Sequence, residues 1–332
     1  MKIRVGTFNL FQFVEPPYSW YTKKEKFNQE EWLEKCRWIQ KQIEIMNCDI
    51  IGFQEVFSAD ALKSLVKELG FNYFVTVDKA KLNKNTYIST TVALASKYPI
   101  SDITYAKIDV ASFKKHKFKG NFSFARLPIK AKVTLPNQKN ILVYVAHLKS
   151  NRLNEFEYTF NKNHELKHKK EMVKNALKGT SSTSLQQRLC EASSLFVDIK
   201  KMKKIPIILL CDFNDKEFSL TIDALSSHKY HHNESKKAPL LYDAYYQHKP
   251  KIDNPHPEAK APQRQATSYF LGRGNVLDYI FISKHFEKFN RNRVAQVTDY
   301  SVYDEHLQEN RDGSLVKSDH AQVVCELTFL KK

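Results

Sequence analysis

Residues 207–211, Ile-Ile-Leu-Leu-Cys, are five apolar residues in a row, after which the chain turns polar at Asp212, Asn214 and Asp215. An apolar run of that length without alternation suits a strand buried on both faces. A carboxylate at the mouth of such a strand is held by its support and still meets solvent and metal. Taken alone, the Asp/Asn cluster reads as a turn capping a strand, because these residues favour turns.

The same arrangement recurs along the chain. Residues 3–9 alternate like a strand and end at Asn9, residues 48–53 form a short apolar strand that delivers Gln54 and Glu55, and residues 141–146 lead to His147. Two late strands, 276–283 and 321–329, instead begin at polar residues, the first carrying Asp278 near its start and the second preceded by Asp319 and His320. If these two run opposite to the other four, in one or two sheets, all six ends lie on one rim. Residues from position 9 to 320 then share one site, so the chain is one catalytic domain spanning 1–332.

The remainder is consistent with such a domain. Asn28 with Glu31 makes a capping box for a helix reaching about residue 47, and Ser58 starts a second helix that stops at Gly70. Ser184 with Gln187 is a further capping box, and its helix ends in Lys200, Lys201, Lys203 and Lys204, which complement the helix dipole. Further strands are expected at 71–77, 90–96, 103–110 and 123–133, a helix at 218–228, and loops at 10–30 and 247–266. A Lys-rich stretch at about 150–183 lacks an apolar stripe wide enough for a core helix and reads as an insertion, partly helical or mobile, with a solvated linker as the plain alternative. No internal repeat or interdomain linker interrupts the chain.

Of 332 residues 42% are hydrophobic, ample for a large core, and the net charge of +17 favours polyanionic partners. The five cysteines form no C-x-x-C, and Cys211 and Cys325 lie inside apolar runs, which fits buried free thiols and not a disulfide framework or zinc site. The N-terminus has no apolar leader before a small-residue cleavage site, and no apolar run is long enough to span a membrane. A cytoplasmic location is expected; export by a signal-independent route would leave the same sequence.

The chemistry of the rim is specific. Asn9, Glu55 and Asp319 are hard oxygen donors that suit Mg²⁺ or Mn²⁺. Asp212, His147 and His320 can handle protons or hydrogen-bond a phosphate, and Asp278 can orient His147. Singly, each has a plain structural alternative: a strand-end turn for Asn9, a surface acid for Glu55, a core histidine for His147, a turn pin for Asp278 and Asp319. Their common placement weakens that set.

These residues resemble the endonuclease/exonuclease/phosphatase superfamily, which includes deoxyribonuclease I, abasic endonucleases, sphingomyelinases and inositol polyphosphate 5-phosphatases. In order, the matching pieces are TFN with Asn9, IIGFQEV with Glu55, TVALASKYPI at 91–100, FARLPI with Arg126, VAHLKS with His147, CDFND with Asp212 and Asn214, NVLDYIFIS with Asp278, and SDHAQV with Asp319 and His320. The resemblance covers nearly the whole chain. It implies a four-layer α/β sandwich, two packed mixed sheets flanked by helices, and divalent-metal-dependent cleavage of a phosphoester. By the same resemblance Glu55 is the main Mg²⁺ ligand, helped by Asn9 and Asp319. Asp212 activates the attacking water, and Asn214 positions that water or the phosphate. His147 and His320 bind the scissile phosphate, Asp278 fixes His147, and Arg126 holds a phosphate oxygen. Cys211 replaces the glycine usual before the Asp of DFN, and the inositol-phosphatase signature P-x-W-C-D-R is absent. His147 resembles the deoxyribonuclease I and sphingomyelinase branch.

A nuclease is the leading expectation for substrate. The net charge favours it, as do Lys114, Lys115, Lys117 and Lys119 in one basic run and Lys167, Lys169 and Lys170 in another soon after His147. The second run could track a phosphate backbone, with Tyr158 or Phe160 as a stacking surface. The alternative is a phosphatase or phospholipase C-like hydrolase acting on phosphoinositides or sphingomyelin, whose anionic headgroups also attract basic surfaces. A non-catalytic nucleic-acid-binding module is the third reading; the presence of every acid and both histidines argues against it. No obligate protein partner is inferred.

Overall fold

The computed structural model describes residues 1–116, 121–150, 160–179, 183–232, 238–248, 264–270, 273–308 and 315–330. Strand β1 (Lys2–Phe13) is followed by β2 (Ser19–Trp20), helix α1 (Gln29–Met46), β3 (Ile50–Val56) and α2 (Ala59–Glu68). Strands β4 (Tyr73–Val75), β5 (Leu82–Asn83), β6 (Thr86–Tyr87), β7 (Thr91–Ser96) and β8 (Ile100–Tyr105) lead to α3 (Val110–Lys115). Next come β9 (Ile129–Thr134), β10 (Asn140–His147), α4 (Leu166–Gly179), α5 (Thr183–Lys201) and β11 (Ile207–Asp212). Helices α6 (Leu220–Ser226) and α7 (His228–His232), β12 (Leu241–Asp243), β13 (Ser268–Phe270), β14 (Arg273–Asn275), β15 (Asp278–Ser283), β16 (Ala295–Tyr303), α8 (Glu305–Gln308) and β17 (Gln322–Phe329) follow.

Two six-stranded sheets form, ordered β16-β17-β1-β3-β7-β4 and β12-β15-β11-β10-β9-β8. Their facing sides share one apolar core in which Val5, Ile50, Val143, Val145, Ile208, Leu210, Ile280 and Val323 are fully buried. Helices α1 and α2 cover the outer face of the first sheet, through Ile39, Ile43, Leu62 and Val66. On the second sheet α4, α5 and α6 cover the outer face, through Val173, Leu189, Leu195, Phe196 and Leu225. Each fully buried aliphatic side chain contributes ~1.5–3 kcal/mol of burial. The result is the four-layer α/β sandwich.

The strand directions put the site on one edge. β1 and β3 are parallel, as are β10 and β11, whereas β15 runs antiparallel to β11 and β17 antiparallel to β1. The ends of β1, β3, β10 and β11 therefore meet the starts of β15 and β17. The sheets also approach closely there: a Cβ on Gly52 would lie 2.9 Å from Leu210 and 3.0 Å from Val145. Leu210 and Val145 stand two residues before Asp212 and His147, so a side chain at position 52 would wedge the rim apart.

Several local expectations shift. The Asn28–Glu31 capping box forms as read, and Asn47 closes α1 in the left-handed conformation. The strand expected at 103–110 lies instead at Ile100–Tyr105, because Asp109 accepts the Ser112 N–H and starts α3. Ser184 falls inside α5, which begins at Thr183, and is not its cap. Residues 166–179 are a helix, since Leu166, Val173 and Leu177 find apolar partners on the second sheet's helical layer. Strand β16 goes unread from sequence: its faces are mostly half-buried, and its polar residues blur the alternation. The loop expected at 247–266 lies largely outside the described residues.

Candidate active site

Strand parity aims most of the rim. On β11, Ile208 and Leu210 point between the sheets, so Asp212 points there too, while Cys211 faces the helical layer. The same period of two carries Asn9 on from Val5, His147 from Val145, and Asp278 back from Ile280. Glu55 breaks the rule. By parity with Ile51 and Phe53 it would face the helices, but its φ of 56° and the register shift between Phe53 and Val56 turn it toward the rim. Such a bulge re-aims a side chain at the cost of local strain. There its Oε2 accepts the Gln12 N–H at 3.0 Å.

Asp212 lies at the centre and is almost fully buried. Its Oδ2 accepts from Asn9 Nδ2 at 2.9 Å and lies 3.3 Å from His147 Nε2, while its Oδ1 accepts the Asn214 N–H at 2.9 Å. Burial raises its pKa and Asp278 adds to that, against the opposing pull of His320 and the bonds from Asn214 and Asn9. Asn214, at φ 51°, donates from Nδ2 to Leu148 O at 3.1 Å and to Asp212 at 3.4 Å. Arg126, half-buried, donates to the same Leu148 carbonyl at 3.2 Å.

The two histidines divide differently from the sequence expectation. Asp278 does not pair with His147; its Oδ2 accepts from His320 Nδ1 at 2.8 Å. The reason is register. Asp278 pairs across the ladder with Asp212, and Ser268 bridges to His320, which brings His320 to the mouth of β15. Burial opposes charge on His320, but Asp278, Asp212 and Asp319 outweigh it and raise its pKa well above the ordinary histidine value. His147 moves the other way: burial, with Arg126, His320 and Lys149 nearby, lowers its pKa. The two imidazoles of the rim are thus pushed in opposite directions, His320 toward its charged form and His147 toward its neutral one.

Glu55 and Asp319 face each other electrostatically. Burial raises the Glu55 pKa and Asp319 raises it further, with Arg126, His320 and the Gln12 N–H opposing. Among the described residues, Asp319 Oδ1, Asp278 Oδ1, Gln12 Oε1 and His147 Nδ1 are buried without a hydrogen-bond partner. Such atoms are costly unless something engages them. Donor atoms of Asp212, Asp278 and His320 also lie within 4.8 Å of one another. A set dominated by carboxylate and amide oxygens suits a hard divalent cation.

The basic runs behave differently from the expectation of a free track. Lys114 and Lys167 are exposed, but Lys169 is buried and pairs with Asp223 at 2.9 Å. Lys115 and Lys170 both donate to the Tyr230 carbonyl, at 3.0 and 3.3 Å. Phe160 is a core residue and not a stacking platform. Lys117, Lys119 and Tyr158 lie outside the described residues.

Sequence reading missed several supports. Lys35 on α1 is fully buried, and its Nζ donates to Leu315 O at 2.9 Å and Val316 O at 3.2 Å, just ahead of Asp319. Ser318 Oγ donates to Asn9 O at 2.7 Å and accepts the His320 N–H at 3.0 Å. On α5, Glu191 accepts the N–H groups of Ala125 and Lys149, each at 2.8 Å, and Arg188 Nε lies 3.6 Å from Asp215. One signal was available: Arg188 and Glu191 are charges set into the apolar stripe of Leu185, Leu189, Ala192 and Leu195.

The sequence profile of the Endonuclease/Exonuclease/phosphatase family matches residues 6–320, which spans every rim residue from Asn9 to His320. The chain belongs to that family. Family members are metal-dependent phosphoesterases, and the oxygen-rich rim fits the divalent cation they generally use. Solved structures share the fold. The human Nocturnin catalytic domain with bound sulfate superposes with a TM-score of 0.59 at 17% identity, covering 99% of this chain and 94% of that one. A family protein from Bacteroides vulgatus gives 0.55 at 15% identity, covering 99% and 100%. D. rerio TDP2 complexed with a single-strand DNA product gives 0.51 at 11% identity, covering 98% and 99%. No curated protein matches the chain. No helix among the described residues is long and apolar enough to cross a membrane.

Proposed function

We propose that this family member is a Mg²⁺-dependent phosphodiesterase that hydrolyses nucleic acid. The observation that carries the reading is Asp212, a buried carboxylate with a raised pKa held by Asn9, Asn214 and His147 beside the charged Asp278–His320 pair. Asn9, Glu55 and Asp319 would hold the cation, with Mn²⁺ as a substitute for Mg²⁺. When bound, the cation neutralises charge on the phosphoryl group and polarises it.

The residues then have distinct tasks. Asp212 takes the proton of the attacking water; burial has moved its pKa toward the range in which a base works. Asn214 spends its amide hydrogens on Leu148 O and Asp212, so it orients the base. His320, charged and fixed by Asp278, donates to a phosphate oxygen as negative charge builds. His147 remains neutral, 3.3 Å from Asp212, and completes the polar wall. Arg126 steadies a second phosphate oxygen. The +17 charge supports a polyanionic substrate, as does the likeness in fold to D. rerio TDP2 complexed with a single-strand DNA product.

Incubation with labelled single- and double-stranded DNA and RNA in Mg²⁺, Mn²⁺ or EDTA tests this reading. Cleavage that needs the ion and falls steeply with salt is expected. No cleavage with either ion would overturn it, and phosphate or headgroup release from inositol phosphates or sphingomyelin alone would replace the substrate class.

A further inference from the structure

Two basic runs far apart in sequence converge away from the catalytic rim. Lys115 of α3 and Lys170 of α4 both donate to one acceptor, the Tyr230 carbonyl, and both ammonium groups lie over the Tyr230 ring, at 4.5 and 4.8 Å from its centre. Lys174 and His116 line the same cleft, which has a volume of about 460 Å³. Val173 and Leu177 of α4, Leu189 of α5 and Leu220 of α6 give the same cleft an apolar lining. None of these residues belongs to the rim.

The electrostatics of the cleft are unbalanced. Desolvation lowers the Lys115 pKa and Lys170 lowers it further. His116 is pushed down to about 4 by burial, then by Lys115, His231 and Lys170. Asp223 is the acid that acts on Lys170, and it is already bonded to Lys169 at 2.9 Å. Two ammonium groups sharing one neutral carbonyl repel each other. An anion between them would exchange that repulsion for charge-assisted hydrogen bonds, which are among the stronger ones.

We propose that this cleft is a second anion site, separate from the catalytic rim, that takes a phosphate monoester whose apolar or ring-bearing body lies on the leucine and valine wall. The phosphate sits at Lys115 and Lys170, with Lys174 at the entrance. A cleft of this size falls within the range of small-ligand pockets. The basic charge of the two runs then serves a discrete site on the outer helical layer, formed by α3, α4, α5, α6 and α7.

The test is amine acylation of the full chain in EDTA, read by mass spectrometry residue by residue, with inorganic phosphate, a nucleoside 5′-monophosphate or chloride at equal ionic strength. Phosphate should protect Lys115 and Lys170, and the nucleoside monophosphate should do so at lower concentration, while exposed Lys63 and Lys67 on α2 react unchanged. The Lys115→Gln/Lys170→Gln double variant removes both charges while keeping polar side chains and should bind the nucleoside monophosphate at least about tenfold more weakly by calorimetry. Lys174→Gln, at an exposed position, should weaken binding less and leave Tm unchanged. Uniform protection of all lysines, or unchanged affinity in the double variant, would overturn the site. Equal protection by phosphate and nucleoside monophosphate would overturn the role of the apolar wall.

Discussion

Asp278 and His320 set the charge of the rim, because a carboxylate 2.8 Å from a buried imidazole holds its proton in place. Asp278→Asn should therefore lower the His320 pKa, seen in its ring NMR titration, and cut phosphodiester cleavage by about 10²-fold or more. An unshifted His320 titration would show that Asp212 and Asp319 suffice. Lys35 acts on the same loop from below. Lys35→Met removes the ammonium that bonds the Leu315 and Val316 carbonyls, a loss of about 1–3 kcal/mol, and amide exchange at 318–320 should quicken. Parity explains which residues sequence could place. Asn9, His147, Asp212 and Asp278 continue the apolar stripes of their strands, so reading the strands nearly reads the site. Glu55 faces the rim through a left-handed backbone that no pattern announces. Lys35 was invisible because its partners are main-chain oxygens about 280 positions away. The sequence does not show that Asp278 pairs with His320, because pairing between strand ends depends on register and the Ser268–His320 bridge has no sequence signature.

At the scale of elements, α4 shows why a Lys-rich stretch resists reading. Leu166, Val173 and Leu177 give a stripe only one residue wide, and Lys169 occupies a buried position within it. Its ammonium is tolerated there because Asp223 of α6 meets it at 2.9 Å. Breaking one partner of a buried pair costs more than the pair itself contributes. Asp223→Ala should destabilise the protein by about 3 kcal/mol in denaturant titration, and the double variant Lys169→Met/Asp223→Leu should recover most of that. If the single variant is neutral, α4 does not depend on this pair. Helix α5 is the opposite case: its periodicity was legible, and Glu191 and Arg188 use that fixed helix to hold the turns that carry Arg126, Lys149 and Asp215.

Across the whole molecule, the sequence placed the polar residues at strand ends, and one rim followed only if the last two strands ran opposite to the other four; β15 and β17 do run antiparallel to β11 and β1. What the +17 charge does was less legible, because composition does not say which lysines are already engaged. Charge also sets a pH limit on stability. The His116 and His231 pKa values are each lowered to about 4 from the ordinary histidine value of 6.5 by burial, with Lys115 and Lys170 beside the first and Lys115, His232 and Lys200 beside the second. The unfolded chain binds those protons first, so stability is full above about pH 6.5 and is lost as pH falls toward 4. Tm should decline through that window, and His116→Gln should flatten the decline; a flat wild-type profile would contradict the burial of both rings. The central claim, that the rim is a metal-dependent phosphoesterase site with Asp212 as its base, is tested most directly by the Mg²⁺-dependent cleavage rate of a labelled oligonucleotide by wild type and Asp212→Asn. The predicted result is ion-dependent cleavage by wild type, abolished by EDTA, and a loss of about 10²–10⁴-fold in the variant with little change in Tm. An Asp212→Asn variant that cleaves at the wild-type rate would contradict it.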